Sequence, residues 1–130
     1  MSARSWTVTI PAPVRWLNAN DRAHRLGRSP LVREWRNAAH VYARQAKLPL
    51  LGKAHITATL RFCDKRRRDP HNYYPTVKAA VDGLVDYGLL PDDSSEFLIG
   101  PDIRLGEPLV TKGRSFGLRG ELVLTIREAT

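Results

Sequence analysis

Two short acidic stretches contain side chains with the chemistry to hold a metal ion. Asp69 and His71 stand two residues apart in "RRRDPHN" (66–72), and Asp92 and Asp93 follow in "LLPDDSSE" (89–96). Residues two apart in an extended segment project from the same face, and Pro70 favours the extended form at Asp69. Carboxylates bind hard divalent cations, which activate water for phosphodiester hydrolysis. The spacing is compatible with a divalent metal site, but by itself it favours capping and turn roles for these residues.

Charge is distributed unevenly along the 130 residues, whose net charge is +8. Residues 1–68 carry fifteen Lys or Arg and three acids, whereas residues 69–102 carry seven acids and one base, Lys78. A basic chain suits a polyanionic partner, most commonly nucleic acid. The acidic island would repel a phosphate backbone unless a bound cation changed its local sign. This pattern favours metal-dependent phosphodiester chemistry; the alternative is a solvated belt of acids that balances the arginines.

The composition is that of a globular domain, with 42% hydrophobic and 26% charged residues. No apolar run approaches the roughly 18 residues of a membrane span, and the N-terminal stretch lacks the apolar core of a secretory signal. The only cysteine is Cys63, which excludes a disulfide within one chain. We therefore expect one domain over residues 1–130, in a reducing cytoplasm and away from membranes. No HExxH, CxxC or phosphate-loop pattern occurs, so we expect no small-molecule cofactor.

The strands that must position the acidic stretches are indicated by alternating apolar residues. Alternation predicts strands over Trp6–Ile10, His55–Cys63 and Gly120–Glu128. A further strand is predicted over Phe97–Leu105, broken at Gly100 and Pro101. Residues 111–120 are predicted to form a hairpin loop.

Two helices are predicted between these strands. The first has Ser29 as its N-cap and Pro30 as its first residue, after an irregular segment over Pro11–Arg28, and ends near Lys47. Its apolar side is predicted to contain Trp35, Ala39, Tyr42 and Ala46. The second begins near Pro75 and ends at Gly88, with a buried stripe of Val77, Ala80, Val81 and Leu84. Lys78, Asp82 and Asp86 flank that stripe at successive i, i+4 spacings.

The order of elements predicts an α+β domain, with two main helices packed on a small mixed or antiparallel sheet of about four strands. The segment from β-strand to acidic loop to helix also carries a recognisable pattern. "RRRDPHNYYPTVKAAVDGLVDYGLLPDD" (66–93) resembles the RusA-type Holliday junction resolvases, whose pattern is a basic lead-in to DxDN, a lysine-bearing helix and a late DD. The basic loop "LNANDRAHRLGRSPLVREWR" (17–36) is similar to the N-terminal part of phage members.

The resemblance implies a homodimeric, magnesium-dependent endodeoxyribonuclease of a bacterial or phage-infected cell. Such an enzyme resolves four-way DNA junctions by paired nicks during recombination and repair. The matched positions are Asp69 (first motif aspartate), Asn72 (motif asparagine), Lys78 (family lysine) and Asp93 (late aspartate).

His71 departs from the family pattern, because it occupies the place of the second motif aspartate. Imidazole suits Mn²⁺ and later metals better than Mg²⁺. His71 would then favour Mn²⁺ as a substitute, weaken metal affinity, lower activity, or transfer ligation to Asp82 or Asp92.

Arginines before and around the motif are expected to bind DNA phosphates. They are Arg15, Arg22, Arg25, Arg28, Arg66, Arg67 and Arg68. Paired nicks require two sites, which a two-fold dimer would supply. Two alternatives stay open: a branched-DNA-binding protein with weakened or lost hydrolysis, and a small protein-interaction domain. The second explains neither the order of the motif nor the acidic island.

Overall fold

The computed structural model describes residues 3–20, 25–109 and 119–130, and only the backbone of residues 25–28. Its elements are β1 (Ser5–Pro11), α1 (Arg25–Gln45), β2 (Ala54–Arg61), a 3₁₀ turn (Pro70–Tyr73), α2 (Tyr74–Tyr87), β3 (Leu98–Leu105) and β4 (Glu121–Glu128). The strands form one mixed sheet in the order β1-β4-β2-β3. β4 pairs antiparallel with β1 and β2, and β3 pairs parallel with β2. The predicted α+β class is confirmed.

The parallel pair β2 and β3 accounts for the position of α2. Parallel neighbours need a long crossover connection, and the segment from the end of β2 through α2 supplies it. Both acidic stretches lie on this crossover, one before α2 and one after it. The topology therefore places them on either side of a single helix.

The core lies between one face of the sheet and the two helices. Strict alternation in β2 buries Ile56, Ala58 and Leu60, and β4 buries Leu122, Leu124 and Ile126. The predicted stripe of α2 is confirmed, because all four of its residues are buried. No helix in the described ranges combines the length and the apolar character that crossing a bilayer requires.

The predicted start of α1 was wrong. The helix begins at Arg25, and Pro30 lies inside it, so that Ser29 is not its N-cap. Proline removes one backbone donor from a helix, and Ser-Pro is a local signal that the longer helix overrides. The end is near the prediction, because Lys47 has a left-handed φ of 53° two residues after Gln45.

Two further predictions need correction. Ala46 is exposed beyond the end of α1, and Ala43 is buried in its place. The predicted break at Gly100 and Pro101 is a break in pairing and not in the strand, because β3 continues through both residues. Its register with β2 shifts there, since Ile99 pairs with His55 and Asp102 with Thr57. The predicted hairpin loop lies outside the described residues except for 119 and 120.

Gly83 sets the distance between the two helices. A Cβ added there would collide with the carbonyl oxygen of Arg36 and lie 2.8 Å from Ala39 Cβ. Gly83→Ala should therefore destabilise the fold by about 1–3 kcal/mol, since overpacking outweighs the better helix propensity of alanine. Urea denaturation measures the loss. Gly52→Ala is the matched control, because nothing lies within 4 Å of its added Cβ; equal stability of the two variants would contradict this packing.

Candidate functional site

The segment that leads from β2 to the 3₁₀ turn is held by Arg68. Its Nη1 donates to Asp64 Oδ1 at 2.7 Å, and its guanidinium carbon lies 3.9 Å from the ring centroid of Phe62. Hydrogen bonds from Arg68, and from the backbone N–H of Arg66, lower the pKa of Asp64 to about 2. Only 15% of the Arg68 side chain is exposed. The chain is thus fixed directly before Asp69.

Asp69 caps the 3₁₀ turn. Its Oδ1 accepts a hydrogen bond from the backbone N–H of His71 at 3.0 Å, and its backbone is extended, with φ −88° and ψ 115°. This confirms the extended form predicted at Asp69. The extended segment predicted from Asp69 through His71 was wrong, because Pro70–Tyr73 form the 3₁₀ turn. The Asp69 side chain is 62% exposed, so its carboxylate remains accessible to solvent and ligands.

The start of α2 is tied to the loop that precedes α1. The buried hydroxyl of Thr76 accepts from the N–H of Leu17 at 2.7 Å and donates to the Leu17 carbonyl at 2.8 Å. The N–H of Ala19 donates to the carbonyl of Asn72 at 2.7 Å. The sequence contained no periodic signal for Thr76, because its partner is 59 residues away. These bonds fix both segments that carry the predicted DNA contacts.

Lys78 links α2 to the turn that follows it. Its Nζ donates to Asp82 Oδ1 at 2.8 Å and also to Asp93 Oδ2. The hydrogen bonds to Asp82 and Asp93 raise the pKa of Lys78 well above its ordinary value, and the bond from Lys78 lowers the pKa of Asp93. Asp92 Oδ1 accepts from the N–H of Asp93 at 2.8 Å, which orders this turn. Two carboxylates therefore converge on one cation.

The predicted metal ligands are only partly brought together. Within residues 3–20, 25–109 and 119–130, no group of three or more His, Cys, Asp or Glu side chains is arranged to hold a metal ion. His71 points to solvent with 80% of its side chain exposed, and its Nδ1 is 3.7 Å from Asp69 Oδ1. Mg²⁺ is commonly bound through one or two carboxylates, with waters and substrate phosphates completing its shell. Asp82 and Asp93 fit such a site in charge and in donor type.

The predicted phosphate-binding arginines differ in their availability. Arg66 and Arg67 are exposed, whereas a phosphate would have to compete with Asp64 for Arg68. Arg15 is also exposed, but it already takes part in an interaction within the chain. Arg22 and the side chains of Arg25 and Arg28 lie outside the described part of the chain. Asp86, on the flank of α2, pairs with Arg36 of α1 at 2.8 Å and so stabilises helix packing.

Residues 62–69, between β2 and the 3₁₀ turn, form the approach segment. The sequence did not predict the aromatic cluster that lies beneath it. Trp16, Phe62 and Tyr73 have ring centroids 4.7–6.1 Å apart and line a pocket of about 250 Å³ together with Arg15, Asn18 and Arg68. The three rings come from three different segments, which is why periodicity does not reveal the cluster. It supports the 3₁₀ turn from below through Tyr73.

No family model matches this chain, and a search of curated proteins found no match. The resemblance of residues 66–93 to RusA-type resolvases therefore rests on the motif itself.

Lys78→Met tests the bridge between the two carboxylates. Removing the ammonium should raise the Asp93 pKa from its depressed value toward or above the ordinary 3.8, since it leaves two carboxylates facing each other. Carboxyl ¹³C NMR titration of Asp93 measures the change. Lys65→Met is the control, because Lys65 is exposed and outside the bridge. An unchanged Asp93 pKa in Lys78→Met would show that the bridge is not maintained in solution.

The bridge also predicts a pH dependence of stability. Because the Asp93 pKa is lowered and the Lys78 pKa is raised, the contribution is complete between the ordinary values of 3.8 and 10.5. It should be lost as the pH falls through the lowered Asp93 pKa, or rises through the raised Lys78 pKa. Solvent screening of these part-exposed groups limits the effect to about 0–1 kcal/mol. Urea denaturation from below pH 3.8 to above pH 10.5, compared with Lys78→Met, measures the loss at both ends; a difference between the two proteins that stays the same at every pH would contradict it.

Proposed function

We propose that the chain is a metal-dependent, structure-specific endodeoxyribonuclease that resolves four-way DNA junctions by paired nicks in recombination and repair. The observation that carries the proposal is the convergence of Asp82 and Asp93 on Lys78. The capped and exposed Asp69 precedes the same helix in the chain. All four residues belong to the segment that resembles RusA-type resolvases. Exposed Arg66 and Arg67 precede that segment's first aspartate, as a phosphate-binding lead-in requires.

In this proposal, the aspartates of the site would hold a metal ion and the lysine would stabilise charge on the phosphate. Asp82 and Asp93 would hold Mg²⁺, or Mn²⁺ in its place, and Asp69 and Asp92 are further candidate ligands. When bound, the ion supplies charge neutralisation at the scissile phosphate and activation of water. Lys78 remains protonated at physiological pH because its pKa is raised. Its ammonium is therefore available to stabilise negative charge that develops on the phosphate.

The basic residues position the DNA. Arg66 and Arg67 would bind backbone phosphates beside Asp69, and Arg15 lies on the loop that Thr76 ties to α2. Such contacts fix the register of the DNA without reading its sequence. A two-fold dimer would present two such sites to opposite strands of a junction, which paired nicking requires.

A branched-DNA-binding protein without hydrolysis is the second candidate. Two observations favour it: the described residues contain no group of three metal-ligating side chains, and Asp82 and Asp93 are already paired with Lys78. Such a protein would keep the basic lead-in and bind junctions without cutting them. A cleavage assay separates the two candidates.

A synthetic four-way junction and a linear duplex of matched sequence test the proposal with Mg²⁺ and with Mn²⁺. The wild type should nick the junction, and Asp69→Asn and Asp93→Asn should each lower the rate by about 100-fold or more, since each removes an anionic oxygen ligand proposed for the metal ion that neutralises the phosphate. Glu34→Gln is the control, because Glu34 is exposed on α1. Binding of the junction without nicking in either metal would refute the nuclease and leave the binding protein.

A further inference from the structure

Two ring side chains project into solvent directly after Asp69. His71 has 80% of its side chain exposed, and Tyr74 is 48% exposed. Every other Phe, Trp or Tyr that the structure describes is buried or half-buried. Neither ring contributes to the core, so their exposure is not explained by packing.

The two rings belong to one rigid turn. The backbone N–H of Tyr74 donates to the carbonyl of His71, which closes the 3₁₀ turn. Residues three apart in a 3₁₀ turn lie over one another on the same face. His71 and Tyr74 therefore present their rings on one side of the turn.

The turn is held from both ends and from below. Asp69 caps its start, and the carbonyl of Asn72 accepts from Ala19 at 2.7 Å. Tyr73 packs inward, with its ring centroid 5.1 Å from that of Phe62. Because Tyr73 is anchored in the aromatic cluster, the backbone that carries His71 and Tyr74 is ordered before any ligand arrives. Binding on such a surface has a small cost in conformational entropy.

We propose that His71 and Tyr74 form a stacking platform for an unpaired nucleobase at the branch of the DNA, and that His71 is a DNA contact and not a metal ligand. This inference rests on the proposed function. Every base has a π face, whereas bases within a paired duplex are stacked on each other and inaccessible. Arg66 and Arg67 are exposed on the approach segment, which leads into this turn. They supply the cations that hold the flanking phosphates.

The position of His71 supports a DNA contact over ligation. Its backbone N–H, not its ring, is bonded to Asp69 Oδ1, and the ring is directed to solvent. A ligand of a bound metal is ordinarily oriented by a second partner on its other nitrogen. The His71 ring instead has its Nδ1 3.7 Å from Oδ1 of Asp69, which is itself a predicted metal ligand.

Four substitutions separate stacking from ligation. His71→Ala and Tyr74→Ala remove a ring, whereas His71→Phe and Tyr74→Phe keep one; His71→Phe also removes the ligand nitrogens. Binding is measured by fluorescence anisotropy in EDTA, with a junction carrying unpaired thymines at its branch and with a fully paired linear duplex. Leu50→Ala is the control, since Leu50 is an apolar side chain that is 74% exposed outside this turn.

Each alanine variant should weaken binding to the branched DNA by about tenfold, with duplex binding unchanged. The phenylalanine variants and Leu50→Ala should bind as the wild type does. Mn²⁺ binding to His71→Phe, followed by electron paramagnetic resonance, should match the wild type. Because DNA binding is measured without metal, the inference can hold even if the protein never cuts DNA.

Three results would overturn the inference. The first is a wild type with no preference for unpaired bases, even one that nicks junctions. The second is an equal loss of duplex and branched binding in the alanine variants. The third is a His71→Phe variant that loses Mn²⁺ binding, which would return His71 to the metal site.

Discussion

The bridge from Lys78 to Asp82 and Asp93 is the interaction on which the candidate site depends. Two carboxylates close together repel each other, and the ammonium between them offsets that repulsion while it fixes the turn after α2 to the helix. The three side chains are partly exposed, so the bridge contributes only about 0–1 kcal/mol to folding. Its importance is therefore in position and charge. The bridge joins the Asp93 side chain to the helix that carries Asp82.

The arginines that precede Asp69 differ in role although they are neighbours in the sequence. Arg66 and Arg67 remain exposed for phosphates, whereas Arg68, the next residue, is taken up by Asp64 and Phe62. This difference among three identical neighbours gives Arg68 a structural role before Asp69. The approach segment is thus fixed at Arg68, next to the 3₁₀ turn, and its other two arginines are exposed to solvent.

The elements that could be predicted from the sequence are those whose signals are local. Alternation sufficed for β2, and the glycine with φ 105° at position 88 ends α2 where the sequence indicated. Prediction failed where longer-range packing decides: α1 extends upstream past Pro30, and β3 crosses Gly100 and Pro101 because β2 pairs with it on both sides. In these places a local breaker signal was overridden by tertiary structure.

In the site, too, the features with local sequence signals were predicted, whereas those that depend on tertiary structure were not. The i, i+4 spacing correctly indicated that Lys78 and Asp82 share a face, and Pro70 correctly indicated the extended Asp69. The arrival of Asp93 at Lys78, 15 residues away, depends on the fold of the return turn. The solvent-facing orientation of His71 follows from the 3₁₀ turn, which the spacing of Asp69 and His71 alone does not reveal.

The most direct measurement of the central claim is Mn²⁺ uptake by the protein bound to a four-way junction, followed by electron paramagnetic resonance. If Asp82 and Asp93 hold the cation, the wild-type complex takes up Mn²⁺ beyond what the junction alone binds, and the Asp82→Asn and Asp93→Asn complexes do not. Equal uptake by the wild type and both variants would contradict a metal site at the Lys78 bridge.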